Sequence, residues 1–512
     1  MRDQDLRLLL PSVAVWIVTG VCLGATVRTA VMIAVGAALL GLAVAAMWCA
    51  GRLRWGFTGP ALICALLAAG CATAMAMRLE TRDRHPVHEM HGKVTMWLSL
   101  QEDPVPFGPV SAGTVRARVE IHAVARRSVP AASAELIGNA QSWANLSPGQ
   151  RVRAVVTVGS ARPGELVVAR LRASGTPERL GRPPPMQRLA AHLRDRLQRS
   201  SSRALSPKAS GLFPGLVLGD ESALDPDVRE DFRDAGLLHL TAVSGANFAL
   251  VCGAVIFALR LGGAPPKVVV IAGALSIIGF VVLVRPSPSV LRAAMMGAVG
   301  LLAVLSSRRV QALPALGGAV IGGLVWWPEL ARAPGFVLSV VATAGLVVVA
   351  PGVRDMLRAA RVPGGVAELV AMAVAAQVTT APMIAYLSGT LSLVSVVANV
   401  AVAPVVAVIG IVGTAAALIG GIGGAQGIGM MASELLIRAM APEMWWMISC
   451  AERLGSAQWA VIEIPDGWSG LAVAAGLSAT VVAAVAGARR IDGDGLRRAL
   501  ARCRRGLARW AP

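Results

Sequence analysis

Long apolar segments recur along the chain, and they constrain its fold more than any other feature. Most are long enough to cross the hydrocarbon core of a bilayer as a helix. Only 15% of the residues are charged, well below the share in soluble domains. The sequence therefore predicts a polytopic α-helical membrane protein of about twelve spans, at residues 10–27, 30–49, 59–77, 240–259, 268–284, 289–306, 310–327, 335–352, 366–387, 391–419, 429–450 and 467–487.

A different pattern occupies residues 79–182. Short runs of alternating apolar and polar residues replace the apolar spans there, and Pro and Gly interrupt them. Such alternation predicts half-buried β-strands. Four or five strands in about a hundred residues favour a small extracytoplasmic β-barrel inserted after the third span, with an OB-like fold as the leading candidate.

Composition divides the chain into five predicted parts. They are a three-helix membrane region at 1–78, the OB-like β-rich domain at 79–182, amphipathic helices with an acidic motif at 183–239, a helical membrane domain at 240–488 and a basic tail at 489–512.

The formal net charge of the chain is +19. A cytoplasmic tail and twelve alternating spans would place both termini in the cytoplasm and the β-rich domain outside. The loops then assigned to the cytoplasm are rich in Arg and Lys, as the positive-inside rule requires. The outer β-rich domain is also basic, so attraction of a polyanion remains a second explanation of the charge.

Seven polar residues in or beside the apolar spans are the candidate site residues. Polar groups in hydrocarbon cost free energy unless they have partners, so such residues line a polar path or form hydrogen bonds between helices. Both interpretations stay open for most of them, and Arg292 favours a functional role because it would attract phosphate groups. The seven residues are Asp220, His239, Ser244, Asn247, Arg292, Gln377 and Asn399.

No catalytic, cofactor or metal motif stands out. The sequence has no C-x-x-C pair and no phosphate-binding G-x-x-x-x-G-K-[ST] loop. His85, His88 and His91 have regular spacing, but Pro86 interrupts the run, so metal binding by them is left open and no metal site is assigned. We expect a protein that is not an enzyme.

Six sequence blocks resemble the core of the ComEC family, in the family's order. They are Gly215-Leu-Val-Leu-Gly-Asp220, Phe232 to Asn247 with Leu-His-Leu-Thr-Ala-Val-Ser-Gly-Ala-Asn at its end, Pro286-Ser-Pro-Ser-Val-Leu-Arg292-Ala, Gly335-Phe-Val-Leu-Ser339, Ala376-Gln377-Val-Thr-Thr-Ala-Pro382 and Asn399-Val-Ala-Val-Ala-Pro404. The three helices followed by a β-rich domain are also similar to the family's N-terminal region.

The resemblance implies a plasma-membrane channel that carries single-stranded DNA into the cytoplasm during natural transformation. Residues 240–488 would form the competence-type channel domain, and the seven polar residues would form the DNA path. A membrane DNA receptor, a cytoplasmic motor ATPase and a separate nuclease would be partners. The sequence has no H-x-H-x-D-H motif, so we expect a short form without the family's metallo-β-lactamase-like domain.

Two other interpretations remain. The chain could transport another solute through the same polar path, or it could be a membrane scaffold that transports nothing. Gly318 and Gly322 have the G-x-x-x-G spacing of helix-packing faces, which leaves a homo-oligomer open.

Overall fold

The structure is a computed structural model. It describes residues 7–50, 55–90, 92–107, 113–125, 127–162, 164–241, 245–286, 288–305, 311–421 and 427–488. The chain forms two compact units. The first consists of Met1–His192 with Gly317–Ala333, and the second consists of Leu193–Leu316 with Pro334–Pro512.

Helices make up most of the described residues. They are α1 (Leu9–Leu23), α2 (Val27–Cys49), α3 (Trp55–Asp83), α4 (Ala140–Trp143), α5 (Pro185–Ala204), α6 (Pro207–Leu218), α7 (Pro226–Asp234), α8 (Gly245–Leu261), α9 (Pro266–Val284), α10 (Pro288–Leu305), α11 (Ala312–Trp326), α12 (Pro334–Val348), α13 (Ala350–Ala359), α14 (Gly364–Ser388), α15 (Ser395–Gly420), α16 (Ile428–Ala439), α17 (Ala441–Gly455) and α18 (Gly467–Ala488). The strands are β1 (Lys93–Leu100), β2 (Val105–Pro106), β3 (Thr114–Val124), β4 (Arg127–Asn139), β5 (Arg151–Gly159), β6 (Arg170–Arg179), β7 (Thr390–Ser392) and β8 (Val461–Glu463).

The first unit contains the β-domain predicted from the alternating pattern. Its six strands form one sheet in the order β1-β5-β6-β4-β3-β2, with a further ladder between β1 and β3. The β4–β6 ladder is parallel and the other ladders are antiparallel. Alternate residues such as Met96, Leu98 and Val152 fill one buried core. The structure thus confirms a β-domain after the third apolar helix, while a closed OB-like barrel stays a prediction.

A distant segment, residues 317–333, completes the first unit. The guanidinium of Arg332 donates from Nε and Nη2 to the carbonyl oxygen of Gly20, at 3.1 and 2.7 Å. The indole N–H of Trp16 donates to the carbonyl oxygen of Ala331 at 2.9 Å. The side chains of Arg332 and Trp16 therefore hold residues 317–333 against α1.

The second unit is built around α15, whose 26 residues run without a break through Pro404. Helix α6 is buried along almost its whole length and packs against Gly413, where a Cβ atom would overlap Val217. The short strands β7 and β8 pair antiparallel and join the chain before α15 to the chain before α18.

Seven helices are long and apolar enough to span a membrane, and four shorter apolar helices accompany them in the described part of the chain. These findings support a multi-pass membrane protein, and the count of twelve spans stays a prediction. Residues 429–450, predicted as one span, form two helices, α16 and α17, that meet at Met440. Pro442 favours this break because its ring cannot continue a helix from the preceding turn.

Candidate functional site

A tight loop from Asp234 to Thr241 follows α7 and organises the candidate site. Gly236 ends the helix with φ +71°, and the N–H of Leu237 donates back to the carbonyl oxygen of Phe232 at 2.7 Å. A Cβ atom at Gly236 would lie 2.6 Å from the Cβ atom of Ser395. Both the left-handed backbone and the close approach to α15 therefore require glycine.

Gln377 is held close to this loop by one intervening residue. Its Nε2 donates to the carbonyl oxygen of Ser392 at 3.2 Å. The hydroxyl of Ser392 in turn donates to the carbonyl oxygen of Asp234 at 2.7 Å. This chain of two bonds ties the middle of α14, through β7, to the end of α7.

Asn399 approaches the same loop from α15. Its Nδ2 donates to the carbonyl oxygen of Ser395 at 2.8 Å, one turn earlier in the helix. Ser395 is also the residue that packs against Gly236. The Asn399 amide thus lies one helical turn from the contact between α15 and the loop, and its described bonds are within its own helix.

His239 lies in the loop, in a 3-10 turn between Leu238 and Leu240. Its side chain is exposed, yet burial lowers its pKa below the ordinary value of 6.5, and a hydrogen bond to the Gly236 backbone opposes this shift. The lowered pKa leaves the neutral imidazole dominant at neutral pH.

Asp220 has a local structural role. Its Oδ1 accepts a hydrogen bond from the N–H of Ser222 at 3.1 Å, which closes an Asx-turn. The carboxylate of the next residue, Glu221, makes longer-range contacts. It accepts hydrogen bonds from the hydroxyl of Thr241 and from Nη2 of Arg229, both at 2.6 Å. Sequence reasoning chose Asp220 and missed Glu221, whose partners lie 8 and 20 residues further along the chain.

Arg292 occupies a different place in the second unit. It lies on α10, only 9% exposed, and its Nε donates to the hydroxyl of Ser339 on α12 at 2.6 Å. Its Nη1 lies 3.3 Å from the sulfur of Met296, and Ser289 donates to Ser339 at 3.3 Å. Within the described ranges no carboxylate pairs with this guanidinium. Ser339 was quoted in a family block, but its role as the partner of Arg292 was not predicted.

The seven candidate residues thus fall into separate groups. His239, Gln377 and Asn399 gather around the loop, and Glu221 links Asp220's turn to the end of that loop. No described contact joins Arg292 to them. Ser244 lies outside the described residues, and Asn247 lies in α8 with its side chain outside the description.

The histidine cluster of the first unit is arranged as backbone caps. Nδ1 of His85 accepts from the N–H of Val87 at 3.2 Å, and Nε2 is 2.9 Å from the carbonyl oxygen of Pro130. Nε2 of His88 is 2.8 Å from the carbonyl oxygen of Arg82, and His91 lies outside the described residues. Among the residues that could be searched, no group of three His, Cys, Asp or Glu is placed to hold a metal ion.

Comparison with known proteins identifies the family to which the chain is similar. The model of the competence protein family matches residues 216–489. The chain is also similar to ComE operon protein 3 of Bacillus subtilis (strain 168), with 27% identity over 205 residues. That match covers 40% of this chain and 26% of the relative, so the chain spans about a quarter of the relative's length. No solved structure matches the chain.

The matched region covers more than half of the chain and contains α7, the loop that follows it, and all seven candidate residues. The order of blocks expected from the sequence agrees with the match, since five of the six lie wholly inside it and the first begins one residue before it. The chain belongs to the competence protein family, in its ComEC branch.

Proposed function

We propose that this protein is a channel that passes single-stranded DNA across the plasma membrane during natural transformation. Membership of the competence family supports a role in DNA uptake. The observation that carries the channel proposal is Arg292, a buried cation whose described partners are a neutral hydroxyl and a thioether.

The cost of burying a charge explains why Arg292 matters. An uncompensated buried ion costs several kcal/mol, so a buried guanidinium ordinarily has a carboxylate or another anion beside it. A passing phosphate group would supply the missing negative charge.

The loop around His239 would contribute a polar wall without charge. Burial lowers the pKa of His239 and so favours its neutral form, while Gln377 and Asn399 carry amides that bind no phosphate strongly. A path with one strong anion contact and otherwise neutral polar walls would let a strand pass instead of trapping it. Such a path reads no base edges and would be blind to sequence.

The remaining parts of the proposal follow from the family and from the charge pattern. Both termini would lie in the cytoplasm and the β-domain outside, as the basic loops favour. The chain would act without catalysis of its own. A membrane DNA receptor would deliver DNA, a separate nuclease would remove the second strand, and a cytoplasmic motor ATPase would draw in the first.

Entry of end-labelled DNA into the cytoplasm tests the proposal. Deletion of the gene should abolish entry under competence-permitting conditions, and the intact gene should restore it. Arg292→Ala and Asn247→Leu should each fail to restore it while still inserting into the membrane. Arg358→Ala, which removes an exposed arginine of α13, is the matched control and should restore entry.

If deletion of the gene leaves DNA entry unchanged, the proposal of DNA uptake under those conditions is wrong. The same buried guanidinium would then favour a transporter of small organic anions, which deletion would reveal as lost uptake or efflux of an anionic solute. A scaffold that transports nothing would instead show effects of polar substitutions on folding alone.

A further inference from the structure

Helices α16 and α17 run beside α15 in the opposite direction. A Cβ atom at Gly420, the last residue of α15, would lie 3.0 Å from the Oγ atom of Ser433 on α16. The indole N–H of Trp446 on α17 donates to the carbonyl oxygen of Ala401, near the start of α15, at 3.0 Å. The two short helices therefore follow most of the length of α15, which is itself long and apolar enough to span a membrane.

Glu443 lies in this pair of helices, in the first turn of α17. It comes three residues before Trp446, or about 4.5 Å along a helix axis. It thus lies between the two contacts with α15 and away from the ends of that helix. Met440 and Met447, one turn before and after Glu443 on the same side, are 8% and 0% exposed. The carboxyl group therefore belongs to an apolar face that is buried against protein.

One oxygen of the Glu443 carboxyl has no hydrogen-bond partner. Its Oε2 atom is buried, and no donor in the described part of the chain reaches it. An ionised carboxylate that is buried without donors costs several kcal/mol, and such groups avoid the cost by becoming neutral. Ser433, 0% exposed, is a second polar residue of the same two helices whose hydroxyl lacks a partner among the described residues.

The charged groups on the two helices nearest to Glu443 do not compensate its charge. Helix α17 packs against α6, α7, α15 and α16. Helix α15 contains no ionisable residue. On α16, Glu434 is paired with Arg203 at 3.1 Å. Arg438 is exposed, and no ion pair in the described ranges joins it to Glu443.

The charged groups of α6 and α7 meet α17 at its other end. Lys208, on α6, is bonded to Glu452 at 2.6 Å. On α7, the carbonyl oxygen of Asp231 lies 2.8 Å from the Cβ position of Gly455. Gly455 is twelve residues beyond Glu443, or about 18 Å along a helix axis. These groups therefore leave the Glu443 carboxyl without a nearby counter-charge.

We infer that Glu443 is a proton-binding site within the membrane domain, whose carboxyl is neutral in the resting protein and exchanges its proton with water during transport. The carboxylate takes the proton from a hydronium ion and returns it to water, so each exchange restores the site. Broken helices at membrane depth supply ion sites in transporters, and the break at Met440 gives Glu443 such a place. The exchange rests on the proposed function, whereas the proton of the resting protein does not.

Labelling with N,N′-dicyclohexylcarbodiimide tests the resting proton, because this reagent adds to protonated carboxyls in apolar surroundings. The full chain in lipid nanodiscs would be labelled at pH 7, and fragment-ion mass spectrometry would assign the labelled residues. Glu443 should take up about ten times more label than Glu452, because burial without a partner favours the neutral form. Glu452 is the matched control, since it lies on the same helix but is exposed and bonded to Lys208.

The label at Glu443 should decrease as the pH rises to 9 and should be absent in Glu443→Gln. An unreactive Glu443 would be an ionised carboxylate that only stabilises the first turn of α17, and this result would overturn the inference. Protection of Glu443 by Na⁺ but not by K⁺ would indicate a sodium site and would also overturn it.

Entry of labelled DNA tests the exchange. Glu443→Gln keeps the shape of the side chain and fixes it in a neutral form, so it should reduce entry about tenfold with thermal unfolding unchanged. Glu443→Asp can still titrate and should retain part of the entry. Wild-type entry with Glu443→Gln would overturn the exchange, and so would a loss of entry that only follows a loss of stability.

The two proposals fail in different ways. If Glu443 is unreactive towards the carbodiimide while Arg292→Ala blocks DNA entry, the proton site is wrong and the channel stands. If deletion of the gene leaves DNA entry unchanged while Glu443 takes up the label, the resting proton stands and the channel is wrong.

Discussion

Two buried arginines of the second unit, Arg196 and Arg292, have different kinds of hydrogen-bond partner. Arg196, on α5, is 5% exposed, and its Nη1 donates to the carbonyl oxygen of Gly420 at 2.8 Å. Gly420 is the last residue of α15. The C-terminal carbonyls of a helix lack intrahelical donors and carry partial negative charge, so the cation fits its surroundings. Arg196 therefore has a sufficient structural explanation.

Arg292 has no such explanation. It is buried to a similar degree, but it donates to a serine hydroxyl and not to a carbonyl oxygen at a helix end. Neither arginine has a carboxylate partner among the described residues. The comparison teaches that burial alone does not mark a functional arginine. The partners separate the two residues: a carbonyl oxygen at a helix end complements the guanidinium of Arg196, whereas Arg292 contacts a neutral hydroxyl and a thioether.

The largest expected effect comes from removing the charge of Arg292. We expect Arg292→Gln to reduce DNA entry about 100-fold, because loss of one buried charge contact typically costs ~3 kcal/mol. Arg292→Lys should retain part of the activity, since it keeps the charge and loses the guanidinium's fork of donors. Labelled DNA entry, normalised to the amount of protein in the membrane, is the measurement. Wild-type DNA entry with Arg292→Gln would mean that Arg292 is not required for transport and does not differ from Arg196 in this respect.

A substitution in the loop tests whether its close approach to α15 determines the stability of the protein. Gly236→Ala should destabilise the protein by ~3 kcal/mol, because it combines a left-handed backbone with overlap against Ser395. Gly263→Ala is the matched control: Gly263 has the same φ of +71°, but nothing lies within 4 Å of its Cβ position. It should cost only about 1 kcal/mol. Thermal unfolding in detergent distinguishes them, and equal losses would refute the close approach of the loop to α15.

Arg196→Met should have a smaller effect and of another kind. The substitution removes a helix cap and a buried charge together, so we expect a loss of about 1–2 kcal/mol in unfolding free energy. DNA entry per folded molecule should stay at the wild-type level. A specific loss of entry with unchanged stability would place Arg196 in the transport path and contradict its interpretation as a cap.

The sequence predicted the large features because they depend on composition and periodicity. Apolar runs of bilayer length led to a membrane protein, and alternation led to a β-domain. The sequence also singled out Arg292, since one arginine inside an apolar run is conspicuous, and its functional role stays a prediction. It could not identify Ser339 or Glu221 as partners, because ordinary serines and glutamates gain their roles from contacts with residues far along the chain. The break at Met440 was missed because apolar periodicity continues through Pro442.

The sequence also could not predict that His239, Gln377 and Asn399 lie around one loop, because that arrangement depends on contacts between residues far apart along the chain. His239 lies in the loop itself, whereas Gln377 and Asn399 reach it through Ser392 and Ser395, which carry no chemical signal of their own. A shared functional role for the three residues stays a prediction.

His239 gives the smallest expected effect and extends the comparison to a group whose charge can be changed by pH. Burial lowers the folded-state pKa of His239 below 6.5. Between that lower value and 6.5, the unfolded chain binds a proton at this position and the folded chain does not. The contribution of His239 to stability should therefore be constant above about pH 7 and should fall as the pH drops below 6.5. The loss should end once the pH passes below the folded-state pKa.

Thermal unfolding of the wild type and of His239→Asn between pH 5 and pH 8 measures this contribution. The variant should lose the part of the pH dependence that lies below 6.5, because asparagine does not titrate there. Identical pH dependence in both proteins would mean that water screens the imidazole fully and that it faces bulk solvent. A difference of the opposite sign would mean that an anion near His239 stabilises its charged form, and His239 would then join Arg292 as a candidate phosphate contact.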